Sequence, residues 1–218
     1  MTSSPTQLVI CGTDTDVGKT VVSAWFVQGL QAQYWKPVQS GLDDGGDRGR
    51  VRDLLQLGAE RFLPEAYAFQ QPVSPHWAAE LDGVTLEPNR LAWPTVRGPL
   101  VVETAGGLMV PLTRHWLQID QLEQWQRPVV LVARSGLGTL NHTLLSLEAL
   151  RQRQIRVLGL ILNGPSHADN PGTLEQFGGV PVLGHLPRLQ SLTAEALQRE
   201  WTHQNLGARL AKAMEQGG

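Results

Sequence analysis

The sequence predicts an α/β fold, a single domain built on a doubly wound and mainly parallel sheet. Three observations carry this. Short apolar runs alternate with helix-period segments along all 218 residues. The runs lack polar–apolar alternation, as strands covered on both faces do. The first run, Leu8-Val9-Ile10-Cys11, enters Gly12-Thr13-Asp14-Thr15-Asp16-Val17-Gly18-Lys19-Thr20 and then a helical pattern. Strand, glycine-bearing loop, Lys-Thr and helix together make the phosphate cradle of P-loop nucleotide-binding proteins.

In chain order, strands are expected at 8–11, 34–38, 100–103, 129–133, 157–162 and 182–186. Helices are expected at 19–31, directly after the loop, and at 48–57, 119–125, 139–151 and 194–214. Residues 58–98 are rich in Pro and polar residues and hold at most short helices. No repeat or long linker divides the chain, so residues 1–218 are expected to form one domain. In such sheets ligands gather at the carboxyl ends of the strands.

Composition narrows the function. Hydrophobic residues at 41% and charged ones at 17% suit a soluble globular protein. A net charge of −2 offers no basic field for nucleic acid. Arg48-Gly49-Arg50-Val51-Arg52 reads as a solvated helix face. Cys11 is the only cysteine, so no internal disulfide forms, which fits a reducing cytoplasm. The segment Met1–Gln7 lacks the apolar centre of a signal peptide, and no run approaches membrane-spanning length. Neither membrane nor nucleic acid is expected as a partner. The seven Trp are irregularly spaced and read as packing residues.

Each candidate motif follows a strand. In the phosphate loop, Lys19 brings positive charge to the β/γ-phosphates and the Thr20 hydroxyl suits Mg²⁺. Five residues separate Gly12 from Gly18-Lys19 where the usual pattern has four, which sets the loop apart from ordinary kinases and GTPases. Lys36-Pro37-Val38-Gln39-Ser40-Gly41 ends the second strand. Lys36 and Ser40 could serve a substrate beside the phosphates, or form a surface lysine and a turn. Asp47 could bind Mg²⁺ or cap a helix, with Asp43, Asp44 and Asp53 as rivals. Glu103-Thr104-Ala105-Gly106-Gly107 offers a second metal carboxylate at a strand end, and glycines that let backbone approach a ligand. Gly136-Leu137-Gly138-Thr139-Leu140-Asn141-His142 opens a helix suited to an anion, with His142 structural. Asn163-Gly164 and Pro187-Arg188-Leu189 could contact a nucleotide base or be ordinary turns.

Together these motifs resemble the dethiobiotin synthetases. The carriers are the long Gly-Thr-Asp-Thr-Asp-Val-Gly-Lys-Thr loop, Lys-Pro-Val-Gln-Ser-Gly, Pro72-Val73-Ser74-Pro75-His76, Glu-Thr-Ala-Gly-Gly and Gly-Thr-Leu-Asn-His, in the family's order over about 8–190. The resemblance implies ATP-dependent carboxylation of 7,8-diaminononanoate with CO₂, closing a ureido ring. By that resemblance Asp16, Val17, Gly18, Lys19, Thr20 and Val21 wrap the ATP phosphates. Thr104, Ala105 and Gly106 border the nucleotide, and Thr20, Asp47 and Glu103 gather Mg²⁺. Asp47 is preferred to Asp53 because its distance to Ser74-Pro75-His76 keeps the family's register. Lys36 is the catalytic lysine; Thr13, Lys19, Lys36 and Ser40 surround the diamine and its carbamate. Asn141 holds the substrate carboxylate across a homodimer interface. Asn163, Gly164, Pro187, Arg188 and Leu189 line the adenine pocket. Thr104 stands where many members have Gly; its side chain could crowd the phosphate or metal side, or be accommodated by another turn geometry. Arg188 stands where the family is often aromatic or apolar. Cobyrinate-type amidoligases and ParA/MinD-like ATPases are the alternatives. The first carry a glutaminase domain with a nucleophilic Cys, and the second an early loop lysine where this chain has Gly-Thr-Asp-Thr-Asp.

Overall fold

In a computed structural model, residues 5–42 and 45–216 are described; Asp43 and Asp44 lie outside them. Six parallel strands form the central sheet: β1 (Gln7–Gly12), β2 (Gln33–Trp35), β5 (Leu100–Glu103), β8 (Val129–Arg134), β9 (Val157–Asn163) and β10 (Val182–Leu186). Their spatial order is β10-β9-β8-β1-β5-β2. Alternate residues of each strand serve opposite faces. Val9, Cys11, Leu100, Val102 and Leu131 join one apolar cluster. Leu8, Ile10, Val101, Val130 and Val132 join the other. The chain leaves β1 toward β2 on one side and later returns to β8 on the other. The crevice at the carboxyl end of β1 therefore lies at a topological switch point.

Helix α1 (Lys19–Leu30) follows the loop, and α2 (Gly46–Leu55) starts two residues before the expected position. Helices α4 (Gln118–Trp125) and α5 (Thr139–Gln152) fall where expected. The short helix α3 (Pro75–Leu81) lies in the Pro-rich stretch.

Three expectations need correction. The strand at 34–38 is two strands. After β2 the chain bends at Lys36-Pro37, and β3 (Val38–Ser40) pairs instead with β4 (Tyr67–Phe69) in a separate sheet. Pro37 has no N–H for a ladder, and its carbonyl accepts from the amides of Ala66 and Tyr67. The helix at 194–214 is also two, α7 (Ala194–His203) and α8 (Leu206–Glu215), broken at Asn205 in the left-handed region. Residues 58–98, expected to hold at most short helices, also contain strand β4, and the pair β6 (Pro111–Thr113) and β7 (Trp116–Leu117) and helix α6 (Asn170–Gly178) lie where no element was expected. The tryptophans mostly pack: Trp25 and Trp201 meet edge to face, and Trp125 contacts Trp35 and Trp93. Trp77, half exposed on α3, is the exception.

Candidate active site

The loop from Gly12 to Lys19 is braced from two sides. Gly18 has φ 91°, and a Cβ there would come within 2.0 Å of the Asn163 side chain. Asn163, at the end of β9, donates from Nδ2 to the Val17 carbonyl at 2.9 Å. On the other side Gly107 approaches Thr13 and Asp14 so closely that a Cβ would stand 3.3 Å from Asp14 Cα. Lys19 Nζ donates to the Asp14 carbonyl at 2.8 Å. Burial, with the nearby charge of Lys36 second, lowers the Lys19 pKa to about 8.

Where the sheet ends, five side chains converge. Lys36, brought inward by the bend at Pro37, is only 4% exposed. Its Nζ lies 2.8 Å from Asp47 Oδ2 and 3.0 Å from Glu103 Oε1, and donates to the Thr104 carbonyl at 3.0 Å. Thr20, in the first turn of α1, donates to Glu103 Oε1 at 2.9 Å. Tyr34 donates to the other Glu103 oxygen at 2.9 Å. Burial works against the Lys36 charge, but Glu103 and then Asp47 outweigh it and hold its pKa above the ordinary value. For Asp47 burial works against ionisation, and Lys36 outweighs it, lowering the pKa. The arrangement is therefore a charged ammonium between carboxylates, not a neutral amine.

Lys36, Asp47, Glu103 and Thr20 face a cavity of about 740 Å³, with Tyr34 buried behind Glu103. Of the expected residues, Asp16, Gly18, Lys19, Thr20, Val21, Lys36, Ser40, Asp47, Glu103, Ala105 and Gly106 line it. The buried Ser40 Oγ has no hydrogen-bond partner among the described residues, so a polar group remains for a ligand. Thr20, Asp47 and Glu103 offer only oxygen, which fits Mg²⁺ with phosphate oxygens and water completing its shell.

Other expected residues lie elsewhere. The Val17 side chain is in the core. Thr104 does not crowd the cavity: it is 1% exposed and its hydroxyl turns to the Ile10 carbonyl. Thr13 lines a second hollow of about 490 Å³, with Gly107, Met109 and Leu145. Asn141 is exposed on the first turn of α5 and borders neither cavity. Gly164, Pro187, Arg188 and Leu189 sit at the ends of β9 and β10, outside the phosphate cavity. Asp53 is exposed and bonded to Arg52 at 3.1 Å.

Sequence reasoning missed three side chains. Tyr34 looked like a strand residue of the core. Gln39 lines the cavity, although only the motif around it was noticed. Arg50, read as part of a solvated face, also lines it, 3.8 Å from Asp47. Its place one turn after Asp47 was the available signal.

A parallel sheet with a Gly-Lys-Thr loop at its switch point defines a P-loop nucleotide-binding enzyme. The family model described as an AAA domain matches residues 6–196. The chain is 53% identical over 192 residues to the ATP-dependent dethiobiotin synthetase BioD of Rhodopseudomonas palustris, covering 88% of this chain and 90% of that one. It is 50% identical over 201 residues to that of Agrobacterium fabrum, covering 92% and 95%. The chain belongs to the ATP-dependent dethiobiotin synthetase family. In fold it also resembles the septum site-determining protein MinD of Pyrococcus horikoshii, solved with Mg-ADP, with a TM-score of 0.54 over 98% of this chain and 96% of that one. At 13% identity that likeness concerns the fold alone.

Proposed function

We propose that this chain, as one domain, converts 7,8-diaminononanoate, CO₂ and ATP into dethiobiotin, ADP and phosphate in the cytoplasm. One substrate amine takes up CO₂ and loses a proton, giving a carbamate. Lys36, Lys19 and the loop N–H groups hold this anion, and Ser40 Oγ is free to donate to it. Its oxygen attacks the γ-phosphorus and ADP leaves, giving a carbamic–phosphoric anhydride. The second amine attacks the activated carbonyl, loses a proton and expels phosphate as the ring closes. Mg²⁺, held by Thr20, Asp47 and Glu103, would supply charge that offsets the β/γ-phosphates. The protein's own work is positioning and charge compensation. Lys36, kept as an ammonium by Glu103 and Asp47, serves as a fixed charge and not as a base or nucleophile.

The observation that carries this reading is Lys36 Nζ within 3.0 Å of both Asp47 and Glu103, beside the Gly-Lys-Thr loop. A homodimer fits this reading, since Asn141, expected at the substrate carboxylate, borders neither of the two cavities described. No helix among the described residues is long and apolar enough to cross a membrane, and the net charge is −2. The test is incubation with ATP, Mg²⁺, 7,8-diaminononanoate and ¹³C-bicarbonate. Labelled dethiobiotin in the mass spectrum is expected; ADP formed without it would overturn the reading.

A further inference from the structure

Helix α2 delivers Asp47 to the site, and among the described residues its start is capped from outside the helix. Its N-cap is Gly45, which has no side chain to accept from the free N–H groups of the first turn. The acceptor comes from another element. Gln39 on β3 takes the Asp47 N–H on its Oε1 at 3.0 Å. Asp47 is the second helical residue, whose N–H an N-cap side chain ordinarily receives. The same Gln39 donates from Nε2 to the carbonyls of Ser40 and Gly41 at 3.0 and 3.1 Å. One nearly buried amide, 7% exposed, thus ties the helix start to the turn after β3. The approach is close: Gly46 has φ 67°, and a Cβ there would meet the Gln39 side chain at 3.0 Å. A carboxylate whose own backbone N–H is held this way has little freedom to swing from Lys36.

We propose that Gln39 is a positioning residue for the metal carboxylate. It caps α2 from outside the helix and fixes Asp47 toward Thr20, Glu103 and Lys36. The inference rests on Asp47 as a Mg²⁺ ligand. Groups that orient a metal ligand change affinity by roughly 10- to 100-fold when lost.

The test measures how strongly Mg²⁺ tightens ADP binding, by calorimetry, in Gln39→Met, Gln39→Glu, Asp47→Asn and Gln39→Met/Asp47→Asn. Gln39→Met keeps the length but cannot accept, and is expected to raise the Mg²⁺ requirement about tenfold. Gln39→Glu keeps an acceptor for the Asp47 N–H but sets a carboxylate oxygen against the Ser40 and Gly41 carbonyls that Nε2 now donates to, and is expected to be impaired as well. In the Asp47→Asn background Gln39→Met is expected to add little, because both changes act through one carboxylate. Gln39→Met with the parent's Mg²⁺ requirement would overturn the proposal. So would effects of Gln39→Met and Asp47→Asn that add in full. A parent-like Asp47→Asn would instead overturn the metal assignment beneath it.

Discussion

Lys36 keeps its charge only because Glu103 and Asp47 surround it, and each carboxylate serves a second purpose if Mg²⁺ joins them. Asp47→Asn and Glu103→Gln are each expected to raise the Mg²⁺ concentration for half-maximal activity by at least about tenfold. Asp53→Asn is expected to leave it unchanged, since Asp53 is exposed and meets only Arg52 among the ion pairs described. A Mg²⁺ titration of all three decides; greater damage from Asp53→Asn would reverse the assignment. Lys19 is different, because burial already lowers its pKa to about 8. ATP phosphates favour its ammonium form. Above pH 8, where the free protein has begun to lose that proton, nucleotide binding is expected to take up protons. Calorimetry in buffers of differing ionisation enthalpy measures this uptake. Lys19→Gln is expected to abolish it and to weaken binding by roughly 1.5–3 kcal/mol, a charged hydrogen bond's worth. Unchanged affinity and unchanged proton uptake would remove Lys19 from the phosphates. Lys19 was legible because the loop is one local motif. Tyr34 and Gln39 were not, because what they do depends on Glu103 and Asp47 arriving from distant segments.

At the scale of elements, legibility follows continuity of the apolar signal. The six buried strands were readable, since covered faces demand unbroken apolar runs. The bend at Pro37 was not, because Tyr34, Trp35 and Val38 are all buried and mask the change of sheet. Strands of two or three residues, as in β3, β4, β6 and β7, carry too little pattern. Helix α6 buries Leu174 while Phe177 is 67% exposed, so its period is weak. The break between α7 and α8 needs only one left-handed residue, Asn205. The joint of α7 with α1 gives a direct test. Gly29 faces Trp201, and a Cβ would come within 2.0 Å of the indole. That ring is fixed edge-on against Trp25 and Phe26 and cannot simply swing away. Gly29→Ala is expected to lower stability in urea unfolding by about 1–3 kcal/mol, the usual cost of overpacking, despite the better helix propensity of Ala. A variant as stable as the parent would show that α7 is free to shift.

At the scale of the molecule, the homodimer proposed above makes a prediction about the hollow that holds Thr13. The hollow that holds Thr13 reaches the phosphate loop at one end and α5 at the other, where Leu145 is 63% exposed and Met109 52%. Asn141 lies one helical turn before Leu145, at the N-terminus of α5. There the free N–H groups and helix dipole suit a carboxylate. Within one copy Asn141 borders neither cavity. If a second copy packs about a two-fold axis, α5 of each can run antiparallel to the other. The start of one helix then covers the hollow beside the other chain's Thr13, and both sites are completed at once. The diamine's amines would lie near Lys36 and its carboxylate near the partner copy. Light scattering is expected to report a homodimer. Asn141→Ala is expected to raise KM for 7,8-diaminononanoate by several-fold, the worth of one hydrogen bond to a charged group, while KM for ATP changes little. A fully active monomer would remove the composite site. A loss confined to the KM for ATP would move Asn141 to the nucleotide.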